Sequence, residues 1–138
     1  MDLRSILSCI ISSLVMFTLS YFWHGIFFND LSRLSYPITI FYIFAPIAYV
    51  FISIIVITVF RLDIVGFISN NILLQGFISG VICGFFIYVV TVIIGVSFSK
   101  VMTMKNILVD VLWQMLEQGV GGIAASFVYI LIPNSSSD

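Results

Sequence analysis

The sequence predicts an all-α integral membrane bundle of four transmembrane helices, forming one domain over residues 1–138. Three observations predict it. Hydrophobic residues make up 62 % of the chain and charged residues 8 %, with a mean hydropathy of +1.26, whereas an ordinary water-soluble domain is roughly one-quarter charged. Four runs, residues 5–28, 37–60, 72–98 and 107–132, each hold the roughly 20 mostly apolar residues that a helix needs to cross a hydrocarbon core of about 30 Å. Polar connections separate them: Asn29, Asp30, Ser32, Arg33 and Ser35, then Arg61, Asp63, Asn70 and Asn71, then Lys100, Thr103 and Lys105.

The first run continues through Tyr21, Phe22 and Trp23 to Phe28 and lacks a small-x-small cleavage site, so it is expected to be a retained span rather than a signal peptide. It carries a polar stripe: at about 100° per residue, Cys9, Ser13, Ser20 and His24 fall within an arc of about 60°. Serines in such a helix bond back to their own carbonyls or face a neighbour. His24, one turn from the end and beside Trp23, fits two readings: an interfacial residue reaching headgroup water, or part of a site. The second run opens at Pro37, where a helix start tolerates proline, and Pro46 in its middle removes a backbone donor and predicts a kink. The following stretch, FRLDIVGFISNN, is apolar enough for a short helix lying in the interface.

The third run places Gly76, Gly80 and Gly84 at every fourth position, and the fourth repeats the device with Gly121 and Ala125, and Gly122 and Ser126. Small residues at that spacing let helix backbones approach closely, so a helix of this chain or of another copy is expected to pack there. The fourth run is also oddly polar. Asn106, Asp110, Gln114, Glu117, Gln118, Gly121 and Ala125 share an arc of roughly 120°, with Leu112, Leu116, Ile123 and Phe127 on the other side.

Alternating helices place residue depths in register. From the surface shared by the ends of runs one and three and the starts of runs two and four, a rise of about 1.5 Å per residue puts Asp110 and His24 at about 5–6 Å, Gln114 at about 10 Å, and Glu117 and Tyr88 at about 15 Å. Ser20 and Pro46 fall at about 12–14 Å. These groups are expected to converge on one half of the bilayer and to form a one-sided polar pocket, the opposite half being more apolar. An ionised carboxylate near the midplane costs at least about 2.5–3.5 kcal/mol, so Glu117 is expected to face inward and to be protonated, paired or hydrated, with Gln114, Tyr88 or Tyr42 as partners. Two readings stay open for it: a proton or cation site, or interhelical glue. Asp110, expected in the first turn of its helix, fits a dipole-complementing role, and Trp113 an interface anchor.

The string SYFWHGIFFNDL, with the polar and glycine-bearing last run, resembles a loose group of small, uncharacterised bacterial four-span membrane proteins, which carry an aromatic pair, a small residue and a phenylalanine at that place. The resemblance implies a bacterial inner (plasma) membrane and no particular activity; His24 stands where tyrosine is expected. In size and buried glutamate the chain is also similar to small multidrug transporters, but their essential glutamate lies in the first helix, where this chain has none.

A net charge of −1 without a Lys or Arg cluster excludes a nucleic-acid footprint, leaving the bilayer and a homo-oligomeric or membrane-protein partner. Cys9 and Cys83 lie in apolar runs without metal-ligand or CxxC spacing, so no metal or other cofactor is expected. Arg33, Lys100 and Lys105 on one side against Arg4 and Arg61 on the other set no orientation, and near-balance permits an antiparallel homodimer. One histidine and two intramembrane acids, with no nucleophile beside a base, form no recognisable catalytic set. The expected function is to bind or move a proton, ion or small cation; the alternative is a non-enzymatic accessory subunit.

Overall fold

Helix starts and stops follow local chemistry. The computed structural model describes residues 2–28, 37–62, 65–98 and 103–132; the connection at 29–36, Asp63, Lys100 and the tail from Pro133 lie outside them. Helix α1 (Leu3–Ser20) passes directly into a π-helical segment, Tyr21–Phe27. α2 spans Ile38–Arg61, led by Pro37 in extended conformation. α3 (Ile72–Phe98) is started by Asn71, whose side-chain oxygen accepts from the backbone N–H groups of Leu73 and Leu74 at 3.0 and 3.4 Å. α4 (Met104–Leu131) is started by Thr103, whose hydroxyl accepts from the N–H of Asn106 at 3.4 Å.

The structure corrects two sequence expectations. With α4 beginning at Met104, Asp110 stands in its second turn rather than its first. Residues 65–68 form a turn closed by the bond from the N–H of Ile68 to the carbonyl of Val65, not an interfacial helix. α2 stays helical through Pro46, which lines a shallow outer groove with Ile10, Leu14, Phe17 and Val50.

No strand occurs among the described residues. Three helices are long and apolar enough to cross a membrane, over Leu3–Phe27, Ile38–Arg61 and Ile72–Ile93. The chain thus has the character of a helical membrane protein. α4 is as long but carries the polar arc.

The four helices form a ring in chain order, with α4 packed against both α1 and α3, and α2 closing the ring between α1 and α3. The tightest contact is between α3 and α4, and it is made by the glycines. A Cβ on Gly76 would meet the carbonyl oxygen of Gly122, one on Gly80 the carbonyl oxygen of Gln118, and one on Gly84 the carbonyl oxygen of Gln114 at 2.7 Å. Each step of four along α3 is matched by a step of four back along α4, so the two backbones touch over three turns in antiparallel register. Without a hydrophobic drive between helices in lipid, this close approach supplies the dispersion contact that joins them. The partner left open by the glycine spacing is α4 of the same chain.

α1 docks on α4 by the same principle with serines. Ser5, Ser8, Ser12 and Met16 are buried, the Ser12 hydroxyl donates to the carbonyl of Gly121 at 2.9 Å, and Met16 occupies the space a side chain at position 121 would fill. Ser53 of α2 faces Cys9 at 2.8 Å. This half of the bundle therefore holds buried hydroxyls where the sequence led us to expect a more apolar interior. Serine averages as mildly polar in a hydropathy profile, yet it can bond within its own helix, as Ser53 and Ser126 do through carbonyls three residues earlier, while the hydroxyls of Ser8 and Ser79 are buried without a partner among the described residues.

The same end is clasped by charge. Arg4 donates to the carbonyl of Tyr129 at 2.5 Å, in the last turn of α4 where carbonyls lack helical partners, and lies 3.9 Å from the centre of the Tyr129 ring. Arg61 bonds the Ser5 hydroxyl at 3.0 Å and lies 3.5 Å from the carboxylate of Asp2. The Ser5 hydroxyl bond, followed by the charge of Arg61, holds the Asp2 carboxyl below its ordinary range.

Two predictions follow from the packing. Gly80→Val drives a side chain into the backbone of α4, which cannot yield, and should lower stability by about 3 kcal/mol. Gly119→Ala meets only the Phe77 and Val81 side chains, which can shift, and should cost less; reversible unfolding in mixed detergent measures both. The stabilisation from Asp2 should be fully present above its unfolded-chain pKa of about 3.9 and be lost as the pH falls through the lower folded value. Asp2→Asn should remove that part of the acid sensitivity in the same measurement.

Candidate functional site

The bundle encloses a cavity of about 420 Å³ at the end opposite the arginine clasp. All four helices contribute to it: Ser20 and His24 from the first, Phe41 and Tyr49 from α2, Tyr88 and Thr91 from α3, Asp110, Trp113 and Gln114 from α4. Its wall is mostly aliphatic and aromatic, and no Lys or Arg among the described residues lines it. Asp110 acts electrostatically on Tyr88 across the α3–α4 contact.

His24 reaches the cavity from the π-helical segment. A π turn holds more residues than an α turn and changes the direction in which successive side chains leave the axis. Within it, Trp23 turns toward α4 and stacks face to face on Trp113, with ring centres 4.0 Å apart and planes 5° from parallel. Trp113 is therefore a contact between helices rather than an interface anchor alone.

Glu117 lies behind the cavity floor. It is completely buried, at 0 % exposure, and Tyr49 and Trp113 stand between it and the open space. The Trp113 indole N–H donates to Glu117 Oε2 at 3.1 Å. Oε1 is buried with no hydrogen-bond partner among the described residues. The Tyr49 hydroxyl is within electrostatic reach of Glu117, Ser20 and Gln114. Beside it, Gln118 is also fully buried and donates to the Gln114 side-chain oxygen at 3.3 Å, leaving its own oxygen unpartnered. An unsatisfied carboxylate oxygen at such depth requires a proton, a cation or water to be tolerable.

Of the residues singled out in the sequence, the structure brings His24, Tyr88, Asp110 and Gln114 to one cavity, with Glu117 one layer behind. Pro46 is not part of it; its neighbours Ala45 and Ala48 are. The expected partners of Glu117 are corrected too. Tyr88 lines the cavity with Asp110 instead, and Tyr42 lies against Tyr21, with ring centres 6.4 Å apart. The actual neighbours are Tyr49, three residues beyond Pro46, and Trp113, one turn before Glu117 on its own helix. The i, i+4 spacing of Trp113 and Glu117 was a readable signal; the approach of Tyr49 depends on how α2 rotates.

Among the described residues, no group of three or more His, Cys, Asp or Glu is arranged to hold a metal ion. No protein family, curated protein or solved structure matches the chain.

The depths of Thr91 and Asp110 along their helices predict the side from which the cavity is reached. Cysteines replacing Thr91 or Asp110 should react with a membrane-impermeant thiol reagent from one side of sealed vesicles only. A cysteine replacing Ser53, buried in the other half, should react from neither side. Equal labelling of Thr91→Cys from both faces would contradict a one-sided cavity.

Proposed function

We propose that the protein is a four-span membrane protein that binds a proton or small cation at Glu117 and exchanges it with one compartment through the cavity. The observation that carries this reading is Glu117 itself, fully buried, with one oxygen bonded to Trp113 and the other unsatisfied, immediately behind a cavity lined by Asp110 and His24. A bacterial inner membrane is the setting proposed for it.

The disposition of α4 supports its role as the fourth span. Its polar groups Glu117 and Gln118 are buried within the bundle, while Leu108, Leu112, Leu116, Ile123, Phe127 and Leu131 are exposed. A hydropathy average counts the inward groups against the helix, although lipid would meet only the outward ones. Its 28 residues reach about 42 Å, enough to cross with some tilt. The accessory reading draws less support, since Gly76, Gly80, Gly84, Gly121 and Gly122 are all spent on contacts inside the chain.

The test is Glu117→Gln, which keeps the shape and removes the exchangeable charge. In liposomes loaded with a pH-sensitive dye, under imposed proton, sodium or potassium gradients, flux should fall at least about tenfold relative to the parent. Glu117→Asp should retain part of it. An unchanged flux in a Glu117→Gln protein of normal assembly would exclude the reading.

A further inference from the structure

Two side chains both line the cavity and interact with Glu117, and they differ in burial. Tyr49 is 8 % exposed, flanked by Phe17 with ring centres 6.1 Å apart, and within reach of three polar side chains. Its ring is packed and its hydroxyl is engaged within the bundle. Trp113 is only half-buried and borders two spaces: the cavity on one side, and on the other an outward groove of about 330 Å³ lined by Trp23, Val109, Leu112 and Leu116. Among the described residues the indole makes one hydrogen bond, its donation to Glu117 Oε2 at 3.1 Å, and one ring stack, on Trp23 at 4.0 Å. Trp23 is carried by the π-helical segment, a short non-standard turn of the kind found where helices adjust.

We propose that Trp113 is a movable gate over Glu117, latched by its stack on Trp23 and released toward the outward groove. This rests on the reading of Glu117 as the exchangeable site and states how that site is reached. In the closed arrangement the indole N–H satisfies Oε2 and its ring separates the carboxylate from the cavity. When the indole swings out, the same movement uncovers Glu117 and withdraws its donor, so access and readiness to take up a proton or cation are coupled. The groups facing the gate from the packed helices are His24 on the first helix, Tyr49 on α2, Tyr88 on α3, and Asp110 and Gln114 on α4. Trp113 is thus a positioning residue for Glu117.

The chain has two tryptophans, and they are the latched pair, so its exciton-coupled circular dichroism reports the latch directly. The experiment uses a Glu117→Cys protein in which Cys9 and Cys83 are serine, and a cationic, membrane-impermeant methanethiosulfonate added from the cavity side. With the latch intact, labelling of position 117 should be slow. Trp23→Ala removes the stack without touching the gate, and should abolish the exciton signal and raise the labelling rate about tenfold. Trp23→Phe, which keeps a ring against Trp113, should restore slow labelling. If Trp23→Ala loses the exciton signal yet labels at the parent rate, the gate is wrong. Should Trp23→Ala fail to assemble, Trp113→Ala replaces it: labelling no faster than the parent then overturns the proposal, and labelling about tenfold faster supports it.

The flux measurement separates the two ideas. Flux that depends on Glu117, with labelling indifferent to both tryptophans, removes the gate and leaves the site. Faster labelling on loss of Trp23, with flux indifferent to Glu117→Gln, keeps the gate and removes the proposed function.

Discussion

The polar arc of α4 imposes the constraint from which the rest of the bundle follows. Glu117 and Gln118 have no exposure, and an amide or a carboxyl cannot be left to hydrocarbon, where each unsatisfied group costs several kcal/mol. Other helices must cover that arc. α3 does so from one side through Gly76, Gly80 and Gly84, α1 from the other through Ser12 and Met16, and α2 brings Tyr49 across the diagonal. The small residues are the means by which helices approach an arc already occupied by long polar side chains. Where α4 offers Gln114 and Gln118, α3 offers glycine.

That packing divides the bundle along its length. Toward the end bearing Arg4 and Arg61, small residues and hydroxyls let the helices close, and charge clasps the first helix to α2 and α4. Toward the other end, Phe41, Tyr49, Tyr88 and Trp113 are too large to interdigitate fully, and a cavity remains between them. Its position at this end is a consequence of residue volume. The acidic and basic groups able to use water, Asp110 and His24, sit at this looser end.

Glu117 occupies the boundary between the two halves. It is held by a tryptophan that itself depends on a second tryptophan from the π-helical segment of the neighbouring helix. Carboxylate, indole and π turn thus form one mechanical chain from the bundle centre to its looser end.

Sequence by itself was enough to establish the all-helical membrane character, the helix limits to within a few residues, the glycine spacing and the convergence of His24, Tyr88, Asp110 and Gln114 on one end. These are consequences of periodicity and rise, which are properties of a single helix. It did not disclose that α4 lies between α1 and α3, that Tyr49 rather than Tyr88 or Tyr42 approaches Glu117, or that Pro46 lines a groove against α1 rather than the cavity. Each of those depends on the rotation of one helix against another, and in a chain this apolar several rotations bury similar surface, so hydropathy does not choose among them. The π turn was equally hidden, because it changes the angle per residue on which the reading of a helical face relies. Only the packed structure, by pairing each glycine with a particular carbonyl and each indole with its partner, selects one set of rotations.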